Sequence, residues 1–188
     1  MQLLVNKAIE DFLASNHAEI LRARNVAISN PVAGQNWLVD QHLLDWAAHQ
    51  TGKPVEEMFE DFGAWLARQE PTRRLLRFSG RNFAEFVVRL EELPGRAQMV
   101  SENFAMPPIS VRSGGMEMLQ VTLPAGAIRW TALLAGMVRV MADDYGALGL
   151  ISVEGHVISV QISDEEFADG RDFSLSPGTP KHTQQGRT

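Results

Sequence analysis

The five histidines of this chain are the first residues to consider for metal binding or acid–base chemistry, because the sequence contains no cysteine. His42 and His49 are seven residues apart in a predicted helix, whereas paired histidine ligands on one helix are usually about four residues apart. His17, His156 and His182 stand singly at a predicted helix break, at a predicted turn and near the last residue. The sequence therefore predicts no metal site.

Carboxylates are densest at positions 56–61, where Glu56, Glu57, Glu60 and Asp61 alternate with apolar residues at helical spacing. This pattern is typical of the solvent-facing side of a helix with acidic residues in its first turn. No serine lies in a nucleophile elbow, and no glycine-rich phosphate-binding loop occurs. The lack of cysteine also excludes a disulfide framework, an iron–sulfur cluster and a cysteine nucleophile. We therefore expect no enzymatic activity.

A group of arginines surrounds Pro71, in what the sequence predicts to be an exposed connection between helices. Arg73 and Arg74 are the candidate partner-binding residues, because the guanidinium group suits an acidic protein surface. The chain as a whole has 17 Lys and Arg against 23 Asp and Glu. With this acidic balance, and without aromatic residues between the arginines, we expect no binding to nucleic acid.

The first half of the chain has the periodicity of helices. Apolar residues recur at helical spacing over 3–24, with a break expected near 15–17, and a second helix should run from about Asp40 to Thr51. A third helix should start at Pro54, because proline suits the first helical position. A fourth is expected from about Asn82 to Leu93, and the Pro94-Gly95 pair should end or kink it.

The second half of the chain changes to mixed structure. Residues 118–123 alternate in polarity and predict a strand, and residues 130–145 predict a helix. Two further strands, 148–153 and 157–162, should form a hairpin around Gly155. The order of elements predicts an α+β fold, with antiparallel strands in its second half.

A chain of 188 residues and 20.8 kDa is the size of one domain. We expect that domain to cover residues 1–176, with a helical part over about 1–70 and an α+β part over about 71–176. Residues 177–188 contain no large apolar side chain and predict a disordered tail. No signal peptide or membrane-spanning segment is visible, so we expect a cytoplasmic protein without a membrane partner.

Six stretches of the sequence resemble the heme nitric oxide/oxygen-binding (H-NOX) family, whose fold is also the sensor domain of soluble guanylate cyclase. The opening Leu-Val-Asn-Lys-Ala-Ile-Glu-Asp-Phe-Leu of residues 4–13 resembles the start of that family, and residues 52–66 resemble its second characteristic stretch. Residues 79–86, the Met-Pro-Pro of 106–108, residues 134–137 and the closing hairpin follow in the family's order. The resemblance extends over about residues 1–165.

The resemblance implies an N-terminal helical part packed on a C-terminal part of antiparallel strands and helices, with heme between the two. In the family a histidine ligates the iron, a Tyr-x-Ser-x-Arg motif holds the propionates, and a diatomic gas regulates a partner such as a histidine kinase or a diguanylate cyclase. The alignment places Val5, Ile9, Leu133 and Met137 in the walls of the heme pocket, with Pro107 and Pro108 at its floor.

Two parts of the family's heme site are missing from this sequence. Pro94 aligns with the axial histidine, and no His, Met, Lys or Tyr occurs within two residues of it. The region of the propionate motif, residues 121–129, contains neither Tyr nor Ser, and Arg129 is its one possible remnant. We therefore predict an H-NOX-like signalling domain that has no heme of the family's kind. We expect it to bind no cofactor and to act through a protein partner.

Three alternatives stay open beside this prediction. The first is a heme-based sensor of NO or O2 whose iron is ligated by another residue, with His42 as the named substitute. The second is an apolar small molecule in the former heme pocket, although ordinary packing of its aromatic and methionine side chains is the simpler interpretation. The third, an enzyme on the same scaffold, has the least support.

Overall fold

The computed structural model describes residues 2–22, 41–100, 106–115 and 118–164, and the side chains of 7–22, 43–99, 106–115 and 118–163. Within these ranges the helices are α1 (Gln2–Asn16), α2 (Gln41–Thr51), α3 (Val55–Arg68), α4 (Glu70–Arg77), α5 (Phe83–Val88), α6 (Leu93–Val100) and α7 (Ile128–Tyr145). A 3₁₀ turn (Arg89–Glu92) joins α5 to α6, and residues 18–22 are also helical. The strands are β1 (Ser110–Ser113), β2 (Met118–Thr122), β3 (Leu148–Glu154) and β4 (Val157–Asp164).

Local hydrogen bonding explains the break after α1. Ser15 Oγ donates to a main-chain carbonyl oxygen one turn earlier at 2.7 Å, and Asn16 Nδ2 does the same at 2.9 Å. Residue 17 is not helical, and the helix resumes at residue 18. Such bonds offer the backbone carbonyls an alternative to the helix ladder. The predicted break near residues 15–17 is confirmed.

The turn between α2 and α3 also follows from its residues. Gly52 ends α2 in the left-handed conformation, with a φ of 67° that other residues adopt only at a cost. Helix α3 begins at Val55, one position after the predicted start, and Pro54 is its N-cap residue. Its fixed φ already suits the helix that follows.

The predicted connection around the arginines is a helix instead. Residues 70–77 form α4, with Pro71 in its first turn, where the missing N–H costs no hydrogen bond. Glu70 and Arg74 stand one turn apart and form an ion pair at 2.7 Å, and Leu76 is buried in the core. The prediction of a connection was wrong, because proline is accepted in the first turn of a helix and this segment also buries Leu76.

The helical path also continues beyond Pro94, where the sequence predicted an end or a kink. Asn82 caps α5, its Oδ1 accepting the N–H of Glu85 at 2.8 Å. A 3₁₀ turn then leads directly into α6, and Pro94 lies in the first turn of that helix. The predicted boundary is therefore observed as the change from the 3₁₀ turn to α6 at Leu93, and not as an end of helical structure, because a proline in the first turn removes no intrahelical bond.

The four strands form one antiparallel sheet in the order β1-β2-β4-β3. Strand β1 was not predicted, since four residues with three exposed side chains carry little polarity signal. The predicted hairpin is confirmed: Gly155 has a φ of 58° between β3 and β4. Helix α7, inserted between β2 and β3, covers one face of the sheet, so the α+β class is confirmed.

Two apolar cores meet at α7. Leu134, Val138 and Met141 of α7 pack with strands β2 and β4 and with α5. Ala132 and Leu133, on another side of the same helix, belong to a core formed with α1, α2 and α3. Helix α7 therefore joins the helical N-terminal part to the sheet.

Two glycines let α3 and α7 approach until their backbones touch. A Cβ atom on Gly63 of α3 would overlap the carbonyl oxygen of Leu133, and one on Gly136 of α7 would overlap the carbonyl oxygen of Glu60. Neither obstacle is a flexible side chain, so neither helix can accept a methyl group there without moving.

The predicted domain end at residue 176 and the predicted tail 177–188 lie outside the described residues and stay predictions. The division into two parts at about residue 70 also stays a prediction. Among the helices within the described ranges, none is long and apolar enough to cross a membrane.

We expect Gly63→Ala and Gly136→Ala each to lower the free energy of unfolding by about 1–3 kcal/mol, because the added methyl group forces the two helices apart. Denaturant unfolding followed by circular dichroism measures the change. Gly95→Ala is the matched control: a Cβ there meets nothing within 4 Å, and alanine in a helix should stabilise the protein by roughly 0.5–1 kcal/mol. Equal stability of all three variants would contradict the close helix contact.

Candidate functional site

A pocket of about 630 Å³ opens at the N-terminal end of α7. The Pro124–Gly126 turn leads into that helix, and the N–H of Ala127 closes the turn by donating to the carbonyl oxygen of Pro124 at 2.8 Å. The first turn of α7 forms one wall, α3 contributes one side chain, and the segment before β1 forms the opposite side. The lining residues are Glu56, Met106, Pro107, Gly126, Ala127, Ile128, Arg129 and Trp130.

Arg129 is the cationic side chain of this pocket, and it is already paired. Its Nη2 lies 2.8 Å from Oδ2 of Asp45 on α2, and its guanidinium carbon lies 5.8 Å from the ring centroid of Phe59 on α3. The Asp45 side chain is 19% exposed, and its other oxygen, Oδ1, is buried without a hydrogen-bond partner. Arg129 therefore connects α7 to α2, and the half-buried carboxylate has no other described cation to replace it.

The predicted pocket walls separate into two groups. Pro107 and Arg129 line the same pocket, as the alignment placed them at the floor and at the propionate motif. Ile9 and Leu133 are buried in the N-terminal core instead, and Met137 is half-buried between the two cores. The remaining two predictions give less information: Pro108 is exposed, and Val5 belongs to α1 but lies outside the described side chains.

The residue that aligns with the family's axial histidine has no donor atom for iron. Pro94 is half-buried in the first turn of α6 and has neither a side-chain heteroatom nor a backbone N–H. Arg96, two residues later, pairs with Glu92 and donates from Nη1 to Ser79 Oγ at 2.8 Å. This guanidinium is committed to structural contacts and has donors but no acceptor, so it is not an iron ligand.

The histidines do not supply a substitute within the described side chains. His17 lies edge-on to Phe12 with ring centroids 5.9 Å apart, and His49 is exposed. His156 is half-buried in the hairpin turn, where its carbonyl oxygen accepts the N–H of Leu123 at 3.0 Å, and it is not among the residues that line the pocket. His42 belongs to α2, but its side chain is not described, and His182 lies beyond the described ranges. No group of three or more histidines and acids that could hold a metal occurs in the described residues.

The pocket residues do not fit heme in the way the resemblance implies. Its lining has no imidazole, phenolate or thiolate, and the Met106 thioether is the one group of a type that holds heme iron elsewhere. Two propionates would need cations, but Arg129 is bound to Asp45, and the Glu56 carboxylate in the wall would repel them. The axial and the propionate contacts are both missing from this arrangement.

Sequence reasoning missed the role of Tyr145, the single tyrosine of the chain. Its hydroxyl lies 3.0 Å from the carbonyl oxygen of Arg77 and 2.9 Å from that of Gly80, where it donates, and the Arg77 guanidinium lies 3.8 Å above its ring. The rings of Phe83 and Phe86 pack against it, with centroids 6.3 and 5.7 Å away. Tyr145 therefore fastens the end of α7 to the turn after α4.

Comparison with solved structures identifies the fold. An H-NOX protein from S. oneidensis in the Fe(II)NO state matches with a TM-score of 0.65 at 11% identity, covering 87% of this chain and 100% of that one. An Fe(II) unliganded H-NOX variant from K. algicida matches with a TM-score of 0.66 at 10% identity, covering 89% and 99%. A variant of the T. tengcongensis H-NOX protein gives 0.63 at 10% identity, covering 87% and 97%. No family model and no curated protein matches the sequence.

These matches confirm the predicted resemblance at the level of fold. The chain has the H-NOX fold, with helices packed on a four-stranded antiparallel sheet. The solved chains are covered almost completely, whereas about an eighth of this chain has no counterpart in them.

We expect the phenol of Tyr145 to ionise above its ordinary pKa of about 10, because burial disfavours the phenolate and raises the pKa. As the chain has one tyrosine, the ultraviolet absorbance of phenolate reports this pKa directly. The unfolded chain then loses this proton at a lower pH than the folded one. Stability should therefore be intact below pH 10 and fall as the pH rises through the folded pKa.

The matching variant is Tyr145→Phe, which should lose about 1–3 kcal/mol of stability at neutral pH, because two backbone carbonyl groups lose their hydroxyl donor. It should also lose the Tyr145 contribution to the alkaline decline. An ordinary phenolate titration, together with unchanged stability of the variant, would contradict the assigned contacts.

Proposed function

We propose that this protein is an H-NOX-fold sensor and signalling domain that works in the cytoplasm without heme bound in the family's way and acts through a protein partner. The observation that supports the proposal is that Pro94, which the alignment places at the axial position, lies in the first turn of α6 and has no donor atom for iron. The fold supports a sensor domain rather than an enzyme, in agreement with the lack of a nucleophile or acid–base group in the sequence.

The propionate side of the site supports the same proposal by a separate argument. Arg129, the remnant of the motif, is held by Asp45 at 2.8 Å, and that carboxylate has one oxygen without a partner already. Moving Arg129 to a propionate would leave a half-buried carboxylate unpaired, which costs several kcal/mol in comparable sites, roughly 3–5. The absence of an axial donor does not cause the absence of propionate contacts, so the two arguments are independent.

The partner proposal rests on α4. Arg73 bonds Asp144 of α7 through Nε at 2.9 Å, so part of its charge is neutralised within the protein. Arg74 pairs only with Glu70 on its own helix and keeps 73% of its side chain exposed. Exposed ion pairs of this kind contribute little, so Arg74 is the better placed of the two to meet an acidic surface. By the family resemblance that surface belongs to a histidine kinase or a diguanylate cyclase.

The main alternative is a heme-based NO or O2 sensor with an unusual axial ligand. His42 and Met106 are its two candidate ligands, one on α2 and one in the pocket wall. A second alternative is an apolar small molecule in the pocket, whose wall includes Ile128, Trp130 and Pro107.

We expect the purified protein to be colourless and, after incubation with hemin and gel filtration, to retain no Soret band. Ultraviolet–visible spectra of the protein peak measure this, with an iron-loaded H-NOX protein treated in parallel as the positive control. A stoichiometric band that survives gel filtration would contradict the proposal. In that case the spectra of His42→Ala and Met106→Ala identify the residue that ligates the iron. The Soret band shifts or disappears in the variant that lacks the ligand.

We expect Arg74→Glu to weaken binding to the partner kinase or cyclase about tenfold or more, as reversal of a charge in contact with an acidic surface costs at least about 1.4 kcal/mol. Titration calorimetry with histidine kinases and diguanylate cyclases encoded beside this gene measures the change. Arg112→Glu, an exposed arginine on β1, is the matched control. Both variants should keep the melting temperature, and equal binding by both would contradict the α4 surface.

A further inference from the structure

One side of α4 is exposed along its whole length. Pro71, Arg74, Leu75 and Phe78 follow one another at the spacing of a single helix face, and we call these four residues the α4 outer face. Leu75 is 51% exposed and Phe78 87% exposed, which is unusual for side chains of their size and type. Nothing in the described part of the chain covers this face.

The opposite side of α4 explains why the outer face cannot turn inward. Leu76 is buried in the sheet-side core, Arg73 is bonded to Asp144, and Arg77 lies over the ring of Tyr145. Together these three contacts fix the orientation of α4 about its own axis relative to α7. The exposed apolar side chains of the outer face are therefore fixed in position and available to another segment.

The charge around the α4 outer face indicates which kind of peptide segment can bind there. Residues 68–81 contain five arginines and one glutamate, although the whole chain has a net charge of −6. A basic surface with exposed leucine and phenylalanine fits a segment that carries both carboxylates and large apolar side chains.

The chain itself supplies such a segment immediately after β4. Residues 165–176 contain four acidic residues, one arginine and three large apolar residues in twelve positions. The acidic residues are Glu165, Glu166, Asp169 and Asp172, and the apolar residues are Phe167, Phe173 and Leu175. The charges and the apolar content both complement the α4 outer face.

The start of this segment is held close to α4. Asp164, the last residue of β4, pairs in register with Leu148 at the start of β3. Leu148 follows Asp144 by four residues, and Asp144 is the carboxylate that bonds Arg73 of α4. An extended chain covers about 3.3–3.6 Å per residue, so ten residues beyond Asp164 reach about 35 Å. Residues 165–176 can therefore reach Phe78.

We infer that residues 165–176 dock on the α4 outer face, with their carboxylates near Arg74 and with Phe167, Phe173 or Leu175 against Leu75 and Phe78. The docked segment covers the same arginine that is proposed above to bind a partner, so it competes with that partner. The docking itself does not depend on the partner proposal, because its occupant is part of the same chain.

Paramagnetic relaxation enhancement in the full-length chain tests this inference. The chain has no cysteine, so Ser174→Cys carries a nitroxide at one defined site. We expect backbone amides of residues 74–79 to lose most of their peak intensity, while amides of Glu10 and Asp11 on α1 keep theirs. The double variant Arg74→Glu, Phe78→Ser, with the same label, should restore the lost intensity. Both side chains are exposed, so the fold should persist, and the melting temperature verifies this.

A matched control changes one exposed arginine and one exposed apolar residue elsewhere, as Arg112→Glu with Ile128→Ser, and should leave the intensity loss at 74–79 in place. Three results would overturn the inference. The first is uniform intensity across the protein. The second is broadening centred on Leu148 and Leu150, the exposed apolar pair of β3. The third is broadening that appears when nitroxide-labelled chains are mixed with separate isotope-labelled chains, since the occupant is then a second copy. None of these results depends on partner binding.

Discussion

Contact between the backbones of α3 and α7 is the constraint on which the rest of this molecule depends. At Gly63 and Gly136 each helix presents a bare backbone to a carbonyl group of the other, so the distance between them is set by hard contact and not by adaptable side chains. Because α7 also packs on the sheet, this contact fixes the position of the N-terminal helices relative to β2 and β4. The two cores consist of different buried residues, but both include residues of α7.

The two ends of α7 carry the two features that bear on function. Its first turn forms a wall of the pocket, with Arg129 bonded across to Asp45. Its last turn holds α4 through Asp144 and Tyr145. Eighteen residues of α-helix separate these ends by about 27 Å. Helix α7 therefore connects the pocket and the α4 surface through one continuous element, and the two features on which the proposals rest share that helix.

The sequence was sufficient for elements whose signal is local. The apolar spacing of α7, the glycine of the closing hairpin and the polar residues at the α1 break each determine structure within a few positions, and these predictions are confirmed. The sequence predicted a connection around Pro71 where a helix forms, and near Pro94 it predicted a boundary but not the helix that starts there. Proline is accepted in a first turn, and the packing of neighbouring residues decides whether a helix follows. The pairs Arg129–Asp45 and Tyr145–Arg77 join residues far apart in the chain, so no local pattern indicates them. The alignment brought Pro107 and Arg129 to one pocket, yet it also assigned Ile9 and Leu133 to the walls of that pocket, and both lie in packed core.

The way the two parts are joined is consistent with the proposal that this chain does not bind heme in the family's way. In the family that the sequence resembles, heme lies between the helical part and the strands, so its contacts help to join them. Here Leu133 and Ala132 on one side of α7, and Leu134 and Val138 on the other, connect the two parts through protein contacts alone. Burial of such side chains contributes about 1.5–3 kcal/mol each, an amount that does not depend on a bound group. On the proposal above, the fold needs no axial histidine for its stability, and Pro94 is tolerated because it lies in the first turn of α6.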